Sequence, residues 1–155
     1  MSKRIGKNLF NGVVKMIILA SDHRGYALKE EIKKFFNEEN IITIDVGTYS
    51  KEGVDYPDYA KKGIEKVLEN PRNVGIFICG TGLGMSMVSN RNPKIRAALC
   101  HTAKYAELAR KKNDANVLIL SGDNTKIKKA ISMIKVFLTT DFEGGRHARR
   151  VKKFS

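Results

Sequence analysis

Five times along this chain, a nearly continuous apolar run is followed by a segment whose apolar residues recur at helical spacing. The runs are MIILA (16–20), IITIDVG (41–47), VGIFIC (74–79), IRAALC (95–100) and NVLIL (116–120). Between and after them lie GYALKEEIKKFFNEE, DYAKKGIEKVLEN, the segment following Gly84, TAKYAELARKKN and TKIKKAISMIKVFLTT. In the first of these Leu28, Ile32, Phe35 and Phe36 share one face, with charges opposite. In the last, Ile127, Ala130, Ile131, Ile134, Phe137 and Leu138 do the same. Strands without polar alternation are buried on both faces, and helices between them supply the cover. The pattern predicts an α/β fold: a three-layer αβα sandwich on a doubly wound, five-stranded parallel sheet, Rossmann-like in outline. Right-handed crossovers follow.

At 155 residues the chain fits one such domain with a real core. Residues 1–15 precede the first run and read as an N-terminal extension, flexible or packed at an edge; 16–155 read as the single domain. The basic-then-apolar start resembles a secretory leader only superficially. Lys15 interrupts the apolar stretch, and Asp22-His23-Arg24 stands where a small-residue cleavage site belongs. No apolar run reaches the roughly 18 residues of a membrane span, so no membrane partner and a cytoplasmic location are expected.

A net charge of +13 raises the question of nucleic acid. Much of it is lysine on helix faces, and no zinc-finger spacing, aromatic stacking signature or heptad array accompanies it. No specific nucleic-acid partner is expected; a basic surface equally favours anionic metabolites. The two cysteines, Cys79 and Cys100, form no CxxC pair and no metal spacing, so no metal is expected.

In open α/β sheets ligands bind beyond the carboxyl ends of the strands. Those ends carry Ser21-Asp22-His23, Gly47-Thr48, Cys79 to Gly84, and His101. The third is the most informative. ICGTGLG alternates Gly80, Gly82 and Gly84 between a strand and a helix. It is one residue short of a dinucleotide fingerprint, and no Gly-Lys-Ser/Thr follows to make a P-loop, so no cofactor is expected. What remains is a nest of backbone N–H groups for an anion or developing oxyanion, with a thiol at its edge. Two readings of Cys79 stay open on these grounds. It is a small buried hydrophobe ending a strand, or a partly exposed, reactive base next to an oxyanion site, close to Asp22 and Thr81.

The segments ASDHRGYALKEEI, IDVGTYS, VDYPDYA, ICGTGLGMSMVSNR, IRAALC, KNDANVL and FEGGRHARRV occur in this order. Together they closely resemble the type B ribose-5-phosphate isomerases, a family that includes isomerases of allose 6-phosphate and galactose 6-phosphate. The match runs from Met16 to about Lys153. The resemblance implies interconversion of D-ribose 5-phosphate and D-ribulose 5-phosphate, a pentose phosphate pathway step, through an enediolate without metal or cofactor. It implies Cys79 as the base moving a proton between C2 and C1, with Thr81 and the backbone of Gly80, Gly82 and Gly84 steadying the enediolate oxygen. Asp22 would bind sugar hydroxyls and assist ring opening, and His23 would lie near the phosphate end. Asp55 and Tyr56 would border the sugar, and Asn113 would touch it. Arg146 and Arg150, four apart on one helix face, would hold the phosphate. A homodimer with shared active sites, sometimes paired into a tetramer, is implied as well.

Two positions depart from the family pattern. Lys112-Asn113-Asp114 stands where most members carry His-Asn-Asp, whose histidine opens the furanose ring; His101 is a candidate replacement. Asp123 stands where an arginine is usually available to the phosphate, and would repel a dianion if it pointed there. A hexose 6-phosphate isomerase and a non-catalytic sugar-phosphate-binding homologue are the alternatives within the family.

Overall fold

A computed structural model describes residues 14–155. The elements in chain order are β1 (Ile17–Ser21), α1 (Tyr26–Glu38), β2 (Thr43–Asp45), α2 (Tyr56–Val67), β3 (Val74–Cys79), α3 (Leu83–Ser89), β4 (Ala97–Leu99), α4 (Ala103–Asn113), β5 (Val117–Ser121), α5 (Ile127–Thr139) and α6 (Arg146–Val151), closed by a 3₁₀ turn over Lys152–Phe154. All strand pairings are parallel, in the order β2-β1-β3-β5-β4. From β1 the chain leaves in one direction to β2, then crosses back past β1 to β3. The gap between the carboxyl ends of β1 and β3 is therefore the switch point.

Side chains alternate across the sheet and divide the core in two. Ile17, Leu19, Ile76, Ile78, Leu118 and Leu120 face α1, α4 and α5, where they meet Ile32, Phe36, Ala106, Ile134 and Phe137. Ile18, Ala20, Phe77, Cys79, Val117 and Ile119 face α2 and α3, meeting Ala60, Ile64, Val67 and Met85. Cys79 thus lies on the α2–α3 side of β3. The close approach of α2 depends on Gly63, where a Cβ would fall 2.6 Å from Phe77 Cζ.

The central strands match the apolar runs closely, whereas β2 and β4 are three residues each, shorter than IITIDVG and IRAALC. These two are the sheet's edges. Ile41 N–H donates to Phe36 O and closes α1, and Ile42 is exposed, so the start of that run serves the helix end. α2 begins at Tyr56 and α3 at Leu83, both slightly ahead of the expected starts. Val14 is buried in the core and Lys15 N–H donates to Arg72 O, so packing begins two residues before Met16. The expectation for the rest of the arm lies outside the described residues. Among those residues no helix is long and apolar enough to cross a membrane.

Candidate functional site at the carboxyl edge of the sheet

Three turns meet at the carboxyl ends of β1, β3 and β5. Asp22 N–H donates to Ile78 O at 3.2 Å, Gly122 N–H to Cys79 O at 2.8 Å, and Asp123 N–H to Gly80 O at 3.0 Å. Ser121 Oγ also donates to Gly80 O, at 2.7 Å. Packing here is close: a Cβ on Gly122 would sit 2.5 Å from Arg24 O, and one on Gly25 would strike Ile78 O.

Asp22 is buried, and its Oδ1 accepts from Arg24 N–H at 3.0 Å and Gly25 N–H at 2.9 Å. Those donors lie in the turn that leads into α1 and hold the carboxylate in one orientation. Among the described residues both bonds fall on Oδ1, which leaves Oδ2 for a ligand.

Cys79 ends β3 only 4% exposed, against the partial exposure expected of a reactive thiol. Its pKa is raised above the ordinary cysteine value. Burial is the main cause and the charge of Asp22 adds to it, opposed by the backbone N–H groups of Met85, Gly82 and Gly84. The helix-end effect expected to favour the thiolate is present, but desolvation outweighs it. Gly82 makes the geometry possible. It is left-handed at φ 83°, and a Cβ there would lie 2.5 Å from Leu99 Cδ1. Thr81 is exposed and its Oγ1 accepts from Leu83 N–H at 3.2 Å.

His23 and the loop before α2 are joined: Val54 N–H donates to His23 Nδ1 at 3.2 Å. Acceptance at Nδ1 leaves Nε2 as the ring's donor. Asp55 and Tyr56 follow on that loop, both exposed, and the Tyr56 ring lies on Gly84, where a Cβ would be 2.5 Å from Cζ. The preceding loop is held by the buried Lys29, whose Nζ donates to Asp45 Oδ1 and to Thr48 O, each at 2.6 Å. Burial lowers the Lys29 pKa, with Asp45 opposing it.

Asp22, His23, Asp55, Tyr56, Cys79, Gly80, Thr81, Gly82 and Gly84 are therefore brought to one edge. Asn113, Arg146 and Arg150 are not. Asn113 ends α4 just before β5 begins, and lines a cavity of about 600 Å³ with Arg96, Val151 and Lys152. Glu143 N–H donates to Lys111 O at 2.9 Å, tying the segment before α6 to the same end. The length of β5 separates Asn113 from Cys79, which pairs with Ser121 at the strand's other end, by roughly 13 Å at about 3.3 Å per residue. Arg146 and Arg150 are exposed on α6, while His147 between them is buried.

The two departures look different in three dimensions. Lys112 and His101 are both exposed. Asp123 does not stand unpaired towards a ligand: its Oδ2 is ion-paired with Arg24 Nη2. Arg24 carried no signal of its own in the sequence, because its partner is 99 positions away.

Comparison with known proteins bears out the family resemblance and the fold. A family model described as Ribose/Galactose Isomerase matches residues 17–154. Ribose-5-phosphate isomerase B of Escherichia coli is 38% identical over 139 residues, covering 90% of this chain and 93% of that protein. The crystal structure of a Thermotoga maritima ribose 5-phosphate isomerase superposes with a TM-score of 0.87 at 48% identity, covering 90% of this chain and 96% of the other. The Mycoplasma genitalium ribose-5-phosphate isomerase B, solved with bound ribulose-5-phosphate, gives 0.84 at 40% identity, covering 90% and 95%.

Proposed function

This chain belongs to the ribose/galactose isomerase family, and on that premise we propose that it interconverts D-ribose 5-phosphate and D-ribulose 5-phosphate, with Cys79 as the general base. The observation that carries the reading is the end of β3. A thiol stands there under three backbone N–H groups, with the oriented carboxylate of Asp22 acting on it. The thiolate takes the proton from C2 of the open-chain aldose. The carbonyl oxygen gains the charge of the enediolate and is met by Thr81 and the N–H groups of the Gly80–Gly84 turn. The Cys79 thiol, whose proton exchanges with solvent while it is held there, then delivers a proton to C1. The C2 hydroxyl loses its proton to become the ketone, and the C1 oxygen takes one up to become a hydroxyl. A base in that position contributes about 10² to 10⁴ in rate.

Asp22 Oδ2 binds sugar hydroxyls and assists ring opening. His23 Nε2 faces the phosphate end, and Asp55 and Tyr56 border the sugar. Asn113, Arg146 and Arg150 complete the site from a second copy of the chain, since their own Cys79 is at the far edge of the sheet. Leu83 (53% exposed) and Met87 (70% exposed) give α3 an apolar face beside the Gly80–Gly84 turn, and a homodimer would cover it. The two buried, free thiols suit a reducing compartment, which supports a cytoplasmic location.

The test is conversion of ribose 5-phosphate by the purified protein with Cys79→Ala alongside. Turnover lost in the variant supports the reading. A folded wild type that leaves ribose 5-phosphate unchanged overturns it, and hexose 6-phosphates are then the next substrates to assay.

A further inference from the structure

Two carboxylates, Asp22 and Asp123, stand at an edge that the proposed reaction requires to accept a dianion. One residue addresses both. Arg24 donates its backbone N–H to Asp22 Oδ1, and its guanidinium pairs with Asp123 Oδ2. That guanidinium lies over the first residue after Cys79: a Cβ on Gly80 would fall 2.5 Å from Arg24 Cζ and 2.8 Å from Nη1. Its side chain is 55% exposed, and Asp123 engages it through Nη2 alone. A guanidinium carries five N–H donors in a rigid plane, so one edge can hold a carboxylate while another takes phosphate oxygens.

We propose that Arg24 binds the phosphate of the substrate and that Asp123 is a positioning residue that holds the Arg24 guanidinium over Gly80. The inference rests on the sugar-phosphate reading and extends it to a residue that reading leaves unassigned. In electrostatic terms Asp123 is useful only while Arg24 is present. Paired, it orients a cation; unpaired, it faces an incoming dianion with like charge.

The pair is solvent-exposed and contributes little to folding, so substitutions here leave a folded protein for kinetics. Arg24→Ala is expected to raise KM for ribose 5-phosphate about ten- to a hundredfold, the effect of losing a hydrogen bond to a charged group. Its kcat changes little, and its inhibition constant for inorganic phosphate rises in parallel. Arg24→Ala/Asp123→Ala is expected to have a lower KM than Arg24→Ala, because the unpaired carboxylate is gone. Arg24→Lys, which keeps the charge without the fork, falls between wild type and Arg24→Ala. KM and phosphate inhibition unchanged in Arg24→Ala would overturn the proposal and leave a surface ion pair. A raised KM with unaltered phosphate inhibition would also overturn it, by moving the contact to the sugar. If wild type lacks isomerase activity, calorimetric binding of ribose 5-phosphate and of inorganic phosphate to the same variants still decides the role of Arg24, separately from the reaction.

Discussion

Cys79 and Cys100 each follow an apolar run, each is almost completely buried, at 4% and 2% exposure, and each is followed by a helix. They differ in what the N–H groups of that helix do. After Cys100 the helix is capped by Thr102, whose hydroxyl accepts from Tyr105 N–H at 3.2 Å. The donors are satisfied locally, and burial alone pushes the Cys100 thiol up to about 11. After Cys79 the cap is the left-handed Gly82, which has no side chain to offer. Backbone N–H groups of Gly82, Gly84 and Met85 act on the sulfur instead and oppose its desolvation. Burial alone therefore does not separate the two thiols; the backbone donors beside Cys79 do.

Cys79→Ala breaks the comparison most severely. It is expected to lower kcat by at least about a hundredfold, the typical share of a positioned base, with KM nearly unchanged, as steady-state kinetics would show. Gly82→Ala comes next. A side chain forced to positive φ against Leu99 costs about 2 kcal/mol, seen in denaturant unfolding, and it displaces the N–H groups around the sulfur, so kcat falls as well.

The pH profile sharpens the contrast. A base with a raised pKa must lose its proton to work, so kcat/KM is expected to climb from neutral pH into the alkaline range. A flat profile there would exclude the Cys79 thiol as the titrating base. Cys100 predicts a stability effect of defined sign. Its folded pKa of about 11 lies above that of an unfolded thiol, ordinarily about 8.5. Its contribution is complete below the unfolded value and is lost as pH rises through that window. Cys100→Ala is expected to weaken this alkaline loss in thermal unfolding scans. Smallest of all, Thr102→Ala removes a cap worth about 1 kcal/mol and leaves kcat unchanged.

Much of this was legible in the chain itself. The central strands are uninterrupted apolar runs because both faces are covered, and β3 corresponds residue for residue to VGIFIC. The edge strands were overextended, since an edge has one partner strand and part of each run serves other purposes. Ile41, for example, closes α1. At the site, SDH and CGTG declared themselves because they follow strands directly. The cover over Cys79 did not, since it depends on how α3 folds back with Met85 buried beneath it. Arg24 and Asp123 were hidden for a related reason. A pair of opposite charges far apart in sequence has no local pattern, and Asp123 read alone suggested repulsion.

The central claim is that Cys79 carries the proton between C2 and C1. Its most direct test is turnover of ribose 5-phosphate in heavy water, with deuterium at the sugar carbons followed by NMR for wild type and Cys79→Ala. Wild type is expected to convert the substrate and exchange deuterium into C1 of the ketose, and Cys79→Ala to do neither. Exchange by Cys79→Ala at the wild-type rate would contradict the account and place the base elsewhere.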